Sequence, residues 1–261
     1  MTNTLNHIHP DAKIAPNVSI DPFTSIHENV EIGKNTWIGS NVTIMSGARI
    51  GANCKIFPGA VISAIPQDLK FSGEDSLTII GDNCVIRECV TINRGTSATG
   101  KTQIGSNCLI MAYSHIAHDC LIGNYCIFSN NSTLAGHIKI GNNVVLAGLT
   151  AIQQFCSVGD FAFISGGSLV RKDIPPYSKV ARDPLIFVGV NAVGMERNGI
   201  DMEQIDLIRN VYRILFKSNH NISQALEIVK KEIEPTKERN TILQFIEKST
   251  QGIVRGYHQK S

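Results

Sequence analysis

The sequence predicts a mainly β protein, a parallel β-helix followed by a C-terminal bundle of α-helices. Two observations support the β-helix. Aliphatic residues recur every six positions from Ile8 to Val170, and Gly, Asn or another small residue occupies other fixed places in the same frame. A third observation predicts the bundle: after the double proline Pro175–Pro176, apolar residues recur at helical spacing instead.

The six-residue frame is too regular to arise by chance. Of its 28 positions between Ile8 and Val170, 25 are Ile, Leu, Val or Phe. The second place is often Gly and the fourth often Asn or Gly, residues that accept the left-handed conformation of a tight corner. Three such hexads close a triangular coil of 18 residues. With coils about 4.8 Å apart, about nine of them form a prism roughly 45 Å long.

The frame fails at three positions, Asp68, Glu74 and Ala98. Register resumes after each failure, so the intervening residues must bulge out of the prism. We therefore predict outward loops near residues 64–79 and 94–103. Loops on a rigid scaffold often carry binding residues, although a plain solvated excursion is the alternative for both.

The predicted domains are a β-helix over residues 1–175 and a helical domain over residues 176–261. Asp201 with Gln204 and Asn221 with Gln224 have capping-box spacing, and each pair precedes an apolar periodic run. A third helix is predicted after Pro235.

The net charge, the apolar runs and the cysteine positions limit the functions and locations that the sequence indicates. The net charge of +2 is too small to indicate nucleic acid as a partner. No apolar run is long enough to span a membrane, and the first residues lack the pattern of a signal peptide, so we expect a cytoplasmic protein. Six of the seven cysteines occupy the small-residue place of the hexad, which predicts packed interior thiols rather than a site.

The segment Ile110–His137 is the candidate centre of chemistry, because it holds His115, His118 and His137 inside the repeat. His118 and Asp119 fall at a corner of a coil. One coil further on lies Gly136, followed by His137, so the three residues His118, Gly136 and His137 should stack on one edge. A neutral imidazole beside an acceptor is a suitable general base, with a surface histidine as the alternative.

Three clustered histidines can also bind zinc. A γ-type carbonic anhydrase uses a β-helix and three histidines, but the spacing of its ligands is absent here. We expect no metal.

Several short motifs together resemble one enzyme family. They are QDLKFSGE at 67–74, TINRGT at 91–96, HIAHDC at 115–120, NSTLAGH at 131–137, QQFC at 153–156 and DIPPY at 173–177. They are similar to those of the acyl-[acyl carrier protein]:UDP-N-acetylglucosamine O-acyltransferases, which catalyse the first step of lipid A biosynthesis. The resemblance covers nearly the whole chain. It implies a left-handed parallel β-helix of hexapeptide repeats and a homotrimer.

The resemblance also implies roles for individual residues. His118 would remove the proton of the sugar 3-hydroxyl as it attacks the (R)-3-hydroxyacyl thioester, oriented by Asp119 or a backbone carbonyl, and the Gly136 N–H would stabilise the oxyanion. The donor would be carried on the phosphopantetheine of acyl carrier protein, with no other cofactor. The implied substrate-binding residues are Gln67, Asp68, Lys70, Asn93, His115, His137, Gln154, Asn191 and Arg197.

Three positions depart from the family pattern: Asn93 and Gln153 stand where His is frequent, and Asn198 where a second Arg is frequent. Asn and Gln hydrogen-bond but do not ionise near neutral pH, so nucleotide and pantetheine contacts are affected more than the base. The remaining alternatives are a nucleotide-amino-sugar N-acyltransferase and a non-catalytic scaffold on the same fold.

Overall fold

The fold is taken from a computed structural model that describes residues 5–217 and 220–256. The ends of the two predicted domains, residues 1–4 and 257–261, lie outside the described residues. Within the described ranges the chain forms 27 short strands and four helices.

The strands follow one another in chain order. The first nine are β1 (His7–Ile8), β2 (Lys13–Ile14), β3 (Ser19–Ile20), β4 (Ser25–Ile26), β5 (Glu31–Ile32), β6 (Trp37–Ile38), β7 (Thr43–Ile44), β8 (Ala48–Ile50) and β9 (Lys55–Ile56). The next nine are β10 (Val61–Ala64), β11 (Leu77–Ile80), β12 (Val85–Ile86), β13 (Thr91–Asn93), β14 (Lys101–Ile104), β15 (Leu109–Ile110), β16 (His115–Ile116), β17 (Leu121–Ile122) and β18 (Ile127–Phe128). The last nine are β19 (Thr133–Leu134), β20 (Lys139–Ile140), β21 (Val145–Leu146), β22 (Ala151–Ile152), β23 (Ser157–Val158), β24 (Phe163–Ile164), β25 (Leu169–Val170), β26 (Ser178–Ala181) and β27 (Ile186–Val190).

Every third strand joins the same sheet, so the chain winds around three parallel faces. Sheet A contains β1, β4, β7 and so on to β25, sheet B runs from β2 to β23, and sheet C from β3 to β24 with β26 and β27 added. The sheets have nine, eight and ten strands, in agreement with the predicted nine coils. The frame aliphatics point inward: from Ile26 to Val170, those outside the two loops are all buried.

Both predicted loops exist, and both lie on the edge where sheet A meets sheet B, here called the A–B edge. Ile62 pairs with Ile92, so that coil has 30 residues instead of 18, and residues 65–76 form the first loop. Ile80 pairs with Ile104, so that coil has 24 residues, and residues 94–100 form the second loop. Insertions of whole hexads leave the inward register intact, and for that reason the frame resumes after each loop.

The cysteines lie where the frame predicts. All seven are free, and six are buried. Cys54, Cys84, Cys108 and Cys126 stack in successive coils, and each thiol donates to a glycine carbonyl of the next coil at 3.1–3.2 Å. They therefore serve as small interior residues.

The β-structure continues beyond the boundary predicted at residue 175. β26 pairs in parallel with β24, and β27 then pairs antiparallel with β26. We predicted that Pro175–Pro176 would end the ladder. The prolines instead occupy a corner, followed by Tyr177 in the left-handed region (φ 62°), and a corner requires fewer amide donors than a strand.

The C-terminal helices are α1 (Ala192–Arg197), α2 (Met202–Lys217), α3 (Ile222–Glu232) and α4 (Lys237–Lys248). Asp201 accepts from the Gln204 amide at the start of α2, and Asn221 with Gln224 forms a complete capping box on α3. α4 starts after Pro235, capped by Thr236. The predicted helix starts are thus confirmed, whereas the short α1 and the β26–β27 hairpin were not predicted.

The helical part is joined to the β-helix through Asp173, which is 1% exposed. Its carboxylate accepts from the Ser157 amide and the Ser249 hydroxyl, at 2.7 and 2.6 Å. Val254 completes the join by packing into the β-helix core. None of the helices within residues 5–217 and 220–256 has the length and apolar character needed to cross a bilayer.

Candidate active site

The candidate site lies on the A–B edge, at the corner between β16 and β17. His118 and Asp119 form this corner, and Gly136 with His137 forms the same corner one coil later. The His137 amide donates to the His118 carbonyl at 3.0 Å. The sequence frame predicted this stacking, and it brings both histidines and the glycine to one place.

His118 and Asp119 form a buried pair. Nδ1 of His118 lies 2.7 Å from Oδ2 of Asp119, and the two residues are 4% and 2% exposed. Asp119 adopts φ 60°, the left-handed corner conformation, which turns its carboxylate back toward the preceding imidazole. Within the described residues, the hydrogen-bond partner of His118 Nδ1 is therefore the Asp119 side chain, and not a backbone carbonyl.

The Asp119 carboxylate is surrounded by donors from the second loop. It accepts from the Thr96 amide at 3.1 Å and the Thr96 hydroxyl at 2.7 Å, and also from the amide and hydroxyl of Thr99. Burial acts to raise the pKa of Asp119, but the hydrogen bonds from Thr99, His118 and Thr96 outweigh it and bring the pKa to about 2. The ionised carboxylate can only accept, so the proton of neutral His118 resides on Nδ1 and Nε2 carries the lone pair.

This arrangement predicts a pH-dependent stability. Because folding lowers the pKa of Asp119, its contribution to the free energy of unfolding is present above the unfolded value near 4 and is lost as pH falls toward about 2. We expect Asp119→Asn to lower the free energy of unfolding by about 1–2 kcal/mol at pH 7. Thermal unfolding at pH 7 and at about pH 3 should show the difference from wild type narrowing at the lower pH.

The exposed Asp75 provides the matched control, because its side chain makes no hydrogen bond to any other residue that the structure describes. Asp75→Asn should leave the unfolding temperature unchanged at both pH values. An Asp119→Asn difference that stays constant or widens with acid would contradict the depressed pKa.

Gly136 allows the imidazole to lie against the next coil. A Cβ at this position would be 2.6 Å from Cε1 and 2.7 Å from Nε2 of His118. The Gly136 N–H donates to no acceptor within the described residues. It is therefore free to donate to an oxyanion.

His137 and His115 flank the pair. His137 Nε2 lies 3.8 Å from Asp119 Oδ2, and its ring stacks on Phe155 at 4.8 Å. His115 Nδ1 contacts the Thr91 hydroxyl at 2.7 Å. Burial first, and then the neighbouring His118, lower the pKa of His115, which favours a neutral imidazole that can bind a polar substrate group.

The first loop reaches the pair from outside. Asp68 Oδ2 lies 3.9 Å from His118 Nε2, while Gln67 and Lys70 are exposed beside it. Asn93 is 2% exposed and donates to the Ile65 carbonyl at 3.0 Å, and its buried Oδ1 has no hydrogen-bond partner among residues 5–217 and 220–256. Gln154 is exposed on the same edge, one coil beyond Gly136.

Two predicted residues lie elsewhere in the chain. Asn191 caps α1 and donates to the carbonyl of Phe161, which is at the corner where sheet B meets sheet C. Arg197 lies in the last turn of the same helix and is exposed. A single chain therefore does not bring Asn191 and Arg197 to the A–B edge.

Sequence reasoning missed Thr91, Thr96 and Thr99. We predicted only an outward loop near residues 94–103, although the register contained a usable signal. The coil with this loop has 24 residues, so residue 95 stacks beside residue 119, which places Thr96 next to Asp119.

The atoms of His118, Asp119 and His137 that could bind a metal lie within 4.8 Å of one another. Two ligands of a tetrahedral zinc are about 3.3 Å apart, whereas Nδ1 of His118 and Oδ2 of Asp119 are only 2.7 Å apart. The carboxylate oxygens are also already saturated by donors. The arrangement favours a hydrogen-bonded pair over a metal ligand set.

Comparisons with known proteins match both parts of the chain. A family model described as bacterial transferase hexapeptide (six repeats) matches residues 29–64 and 101–136. A second, described as UDP N-acetylglucosamine O-acyltransferase, domain 2, matches residues 173–254. The second match begins close to the predicted domain boundary.

Named relatives agree with these models. An acyl-[acyl-carrier-protein]–UDP-N-acetylglucosamine O-acyltransferase of Trichlorobacter lovleyi is 51% identical over 95% of this chain and 97% of its own length. One of Chlorobaculum tepidum is 58% identical over 72% of this chain and 71% of its own. The crystal structure of LpxA, a UDP-N-acetylglucosamine acyltransferase from Bacteroides fragilis, superposes with a TM-score of 0.96 at 49% identity, covering 98% of this chain and 100% of that one.

These matches extend over the repeat, both loops and the helical part. The chain is a left-handed parallel β-helix of hexapeptide repeats with C-terminal helices, as predicted. It belongs to the acyl-[acyl-carrier-protein]–UDP-N-acetylglucosamine O-acyltransferase family.

Proposed function

We propose that the protein transfers an (R)-3-hydroxyacyl chain from acyl carrier protein to the 3-hydroxyl of UDP-N-acetylglucosamine, the first step of lipid A biosynthesis. The observation that carries this proposal is the buried His118–Asp119 pair packed against Gly136 on the A–B edge. The names of the relatives supply the two substrates.

The geometry of the pair supports the following reaction. Nε2 of His118 accepts the proton of the sugar 3-hydroxyl, and the oxygen attacks the thioester carbonyl. The Gly136 N–H stabilises the resulting oxyanion, a contact worth roughly 3–4 kcal/mol. The intermediate then expels the pantetheine thiolate, which recovers the proton from the His118 imidazolium. Asp119 holds the imidazolium by its charge and keeps the ring in place.

We assign substrate contacts to the polar groups around the pair. Asp68, His115 and His137 lie closest to His118 and suit the sugar hydroxyls. Gln67, Lys70 and Gln154 line the approach, and Asn93, whose buried side chain donates to the Ile65 carbonyl, holds the first loop beside them.

We infer a homotrimer, because Asn191 and Arg197 lie away from the A–B edge of their own chain. A neighbouring copy that placed its α1 against this edge would supply a forked guanidinium for the diphosphate. We propose a cytoplasmic enzyme that needs no metal or organic cofactor beyond the pantetheine of its donor.

Acylation assays test the function. We expect the wild type to transfer the acyl chain from 3-hydroxyacyl carrier protein to UDP-N-acetylglucosamine. Its turnover of the 3-amino analogue of that acceptor should not be faster. Faster turnover of the 3-amino analogue would favour an N-acyltransferase. Turnover of neither acceptor would favour a non-catalytic scaffold and contradict the proposal.

A further inference from the structure

The second loop, residues 94–100, has no role in the chemistry proposed above, yet two of its side chains, those of Thr96 and Thr99, reach Asp119 in the site. Thr96 is 7% exposed, and its hydroxyl lies 2.7 Å from Asp119 Oδ2. The Thr99 hydroxyl contacts the other oxygen, Oδ1. The two threonines thus hold one carboxylate oxygen each, and the two amides of the same residues add further donors.

The hydroxyl protons are directed toward the carboxylate. The Thr96 hydroxyl accepts from the Ala98 amide at 3.2 Å, so its own proton is free for Asp119. The Thr99 hydroxyl has two acceptors within reach, Asp119 Oδ1 and the Lys101 carbonyl at 2.9 Å. Of these, the ionised carboxylate is the stronger acceptor.

The loop is itself anchored from the outside. Glu74 of the first loop accepts from the Ser97 amide at 3.0 Å. The backbone amides of Glu74, Ser72 and Ser97 lower the pKa of Glu74 to about 2, so it remains an ionised acceptor. Because Ser97 lies between Thr96 and Thr99, this contact links the loop that carries Asp68 to the loop that holds Asp119.

We propose that Thr96 and Thr99 are positioning residues that fix the Asp119 carboxylate, and through it the His118 imidazole, with the Nε2 lone pair toward the acceptor hydroxyl. Only the expected change in kcat rests on the proposed function; the effect on the position of Asp119 and His118 does not. Without the two hydroxyl donors, Asp119 keeps its amide contacts but can rotate. The Nδ1–H tautomer of His118 is then no longer enforced.

The other titratable groups that face the pair do not replace this restraint. His137 lies 3.8 Å from Asp119 Oδ2, and Asp68 lies 3.9 Å from His118 Nε2. Both distances exceed those of a hydrogen bond. His115 faces His118 from β16 but is bonded to Thr91.

Paired substitutions separate the hydroxyl from the shape of the loop. Thr96→Val with Thr99→Val keeps the side-chain volume and removes both hydroxyls, whereas Thr96→Ser with Thr99→Ser keeps the hydroxyls and removes a methyl group from each. We expect the double Val variant to lose about tenfold to a hundredfold in kcat, because misplacing a reacting group can cost up to about a hundredfold. We expect the double Ser variant to stay within about threefold of wild type, because its charge-assisted hydrogen bonds remain. Thr43→Val, in sheet A away from the site, should have no effect.

A second readout does not depend on turnover. In ¹⁵N-histidine-labelled protein in alkaline buffer, the wild type and the double Ser variant should show His118 protonated at Nδ1, and the double Val variant should show mixed tautomers. Equal impairment of the Val and Ser variants, or a Val variant with wild-type kcat and tautomer, would overturn the proposal. If the wild type does not acylate UDP-N-acetylglucosamine, the proposed function fails, and the tautomer measurement alone decides the role of the threonines.

Discussion

His118→Ala is expected to lower kcat about a thousandfold, within the range that a positioned general base contributes. The variant loses the His118 imidazole, whose Nε2 lies against Gly136 and 3.9 Å from Asp68 Oδ2. No other imidazole in the described residues lies there. KM for UDP-N-acetylglucosamine should change little, because the sugar contacts assigned to His115 and His137 remain. Steady-state acylation kinetics measure both parameters.

His27→Ala is the matched control for this experiment. It removes a histidine from the same prism, between β4 and β5 and outside the candidate site, and it should retain wild-type kcat. Circular dichroism should show both variants folded. If a folded His118→Ala enzyme kept more than about a tenth of wild-type kcat, the loss would be smaller than a general base usually contributes. That result would contradict the role of His118 as the base.

Gly136→Ala is expected to lower kcat about a hundredfold, because a misplacement of roughly 1 Å in a reacting group has an effect of this size. The added Cβ would stand 2.6 Å from Cε1 and 2.7 Å from Nε2 of His118. The ring must therefore move away from the Gly136 N–H, and base and oxyanion donor lose their common geometry. Single-turnover acylation measures the chemical step directly.

Gly148→Ala tests the effect of adding a methyl group at another glycine of the prism. Its Cβ would approach only the Asn130 carbonyl oxygen, at 3.4 Å, an ordinary contact. We expect wild-type kcat and an unchanged unfolding temperature for this variant. A Gly136→Ala enzyme as active as Gly148→Ala would show that the close contact with His118 is not required.

Much of the fold could be predicted because one physical rule repeats. Each hexad buries its first residue in the interior of the β-helix. The number of a residue therefore determines the sheet or the corner on which it lies. That relation placed His118, Gly136 and His137 together and put the cysteines inside. It held across the loops at 65–76 and 94–100 because both insert whole hexads.

Other features follow local rules that the period does not contain. β26 continues sheet C beyond Pro176 because the prolines occupy a corner, and periodicity alone does not distinguish a corner from an end. The register places Thr96 beside Asp119, but the contact of Thr99 with the same carboxylate depends on the path of a six-residue insertion, which the period does not specify. Asn191 caps the start of α1 and Arg197 is its last residue; this helix has six residues, which is too short to produce a recognisable periodic pattern.

The central claim is that Nε2 of neutral His118 is the base, with its proton held on Nδ1 by Asp119. The pH dependence of kcat/KM for acylation of UDP-N-acetylglucosamine, measured for wild type and His118→Ala together, tests it most directly. We predict that wild-type kcat/KM falls with acid, and that the residual activity of His118→Ala lacks this acid limb. An acid limb of the same position and depth in both enzymes would contradict the claim.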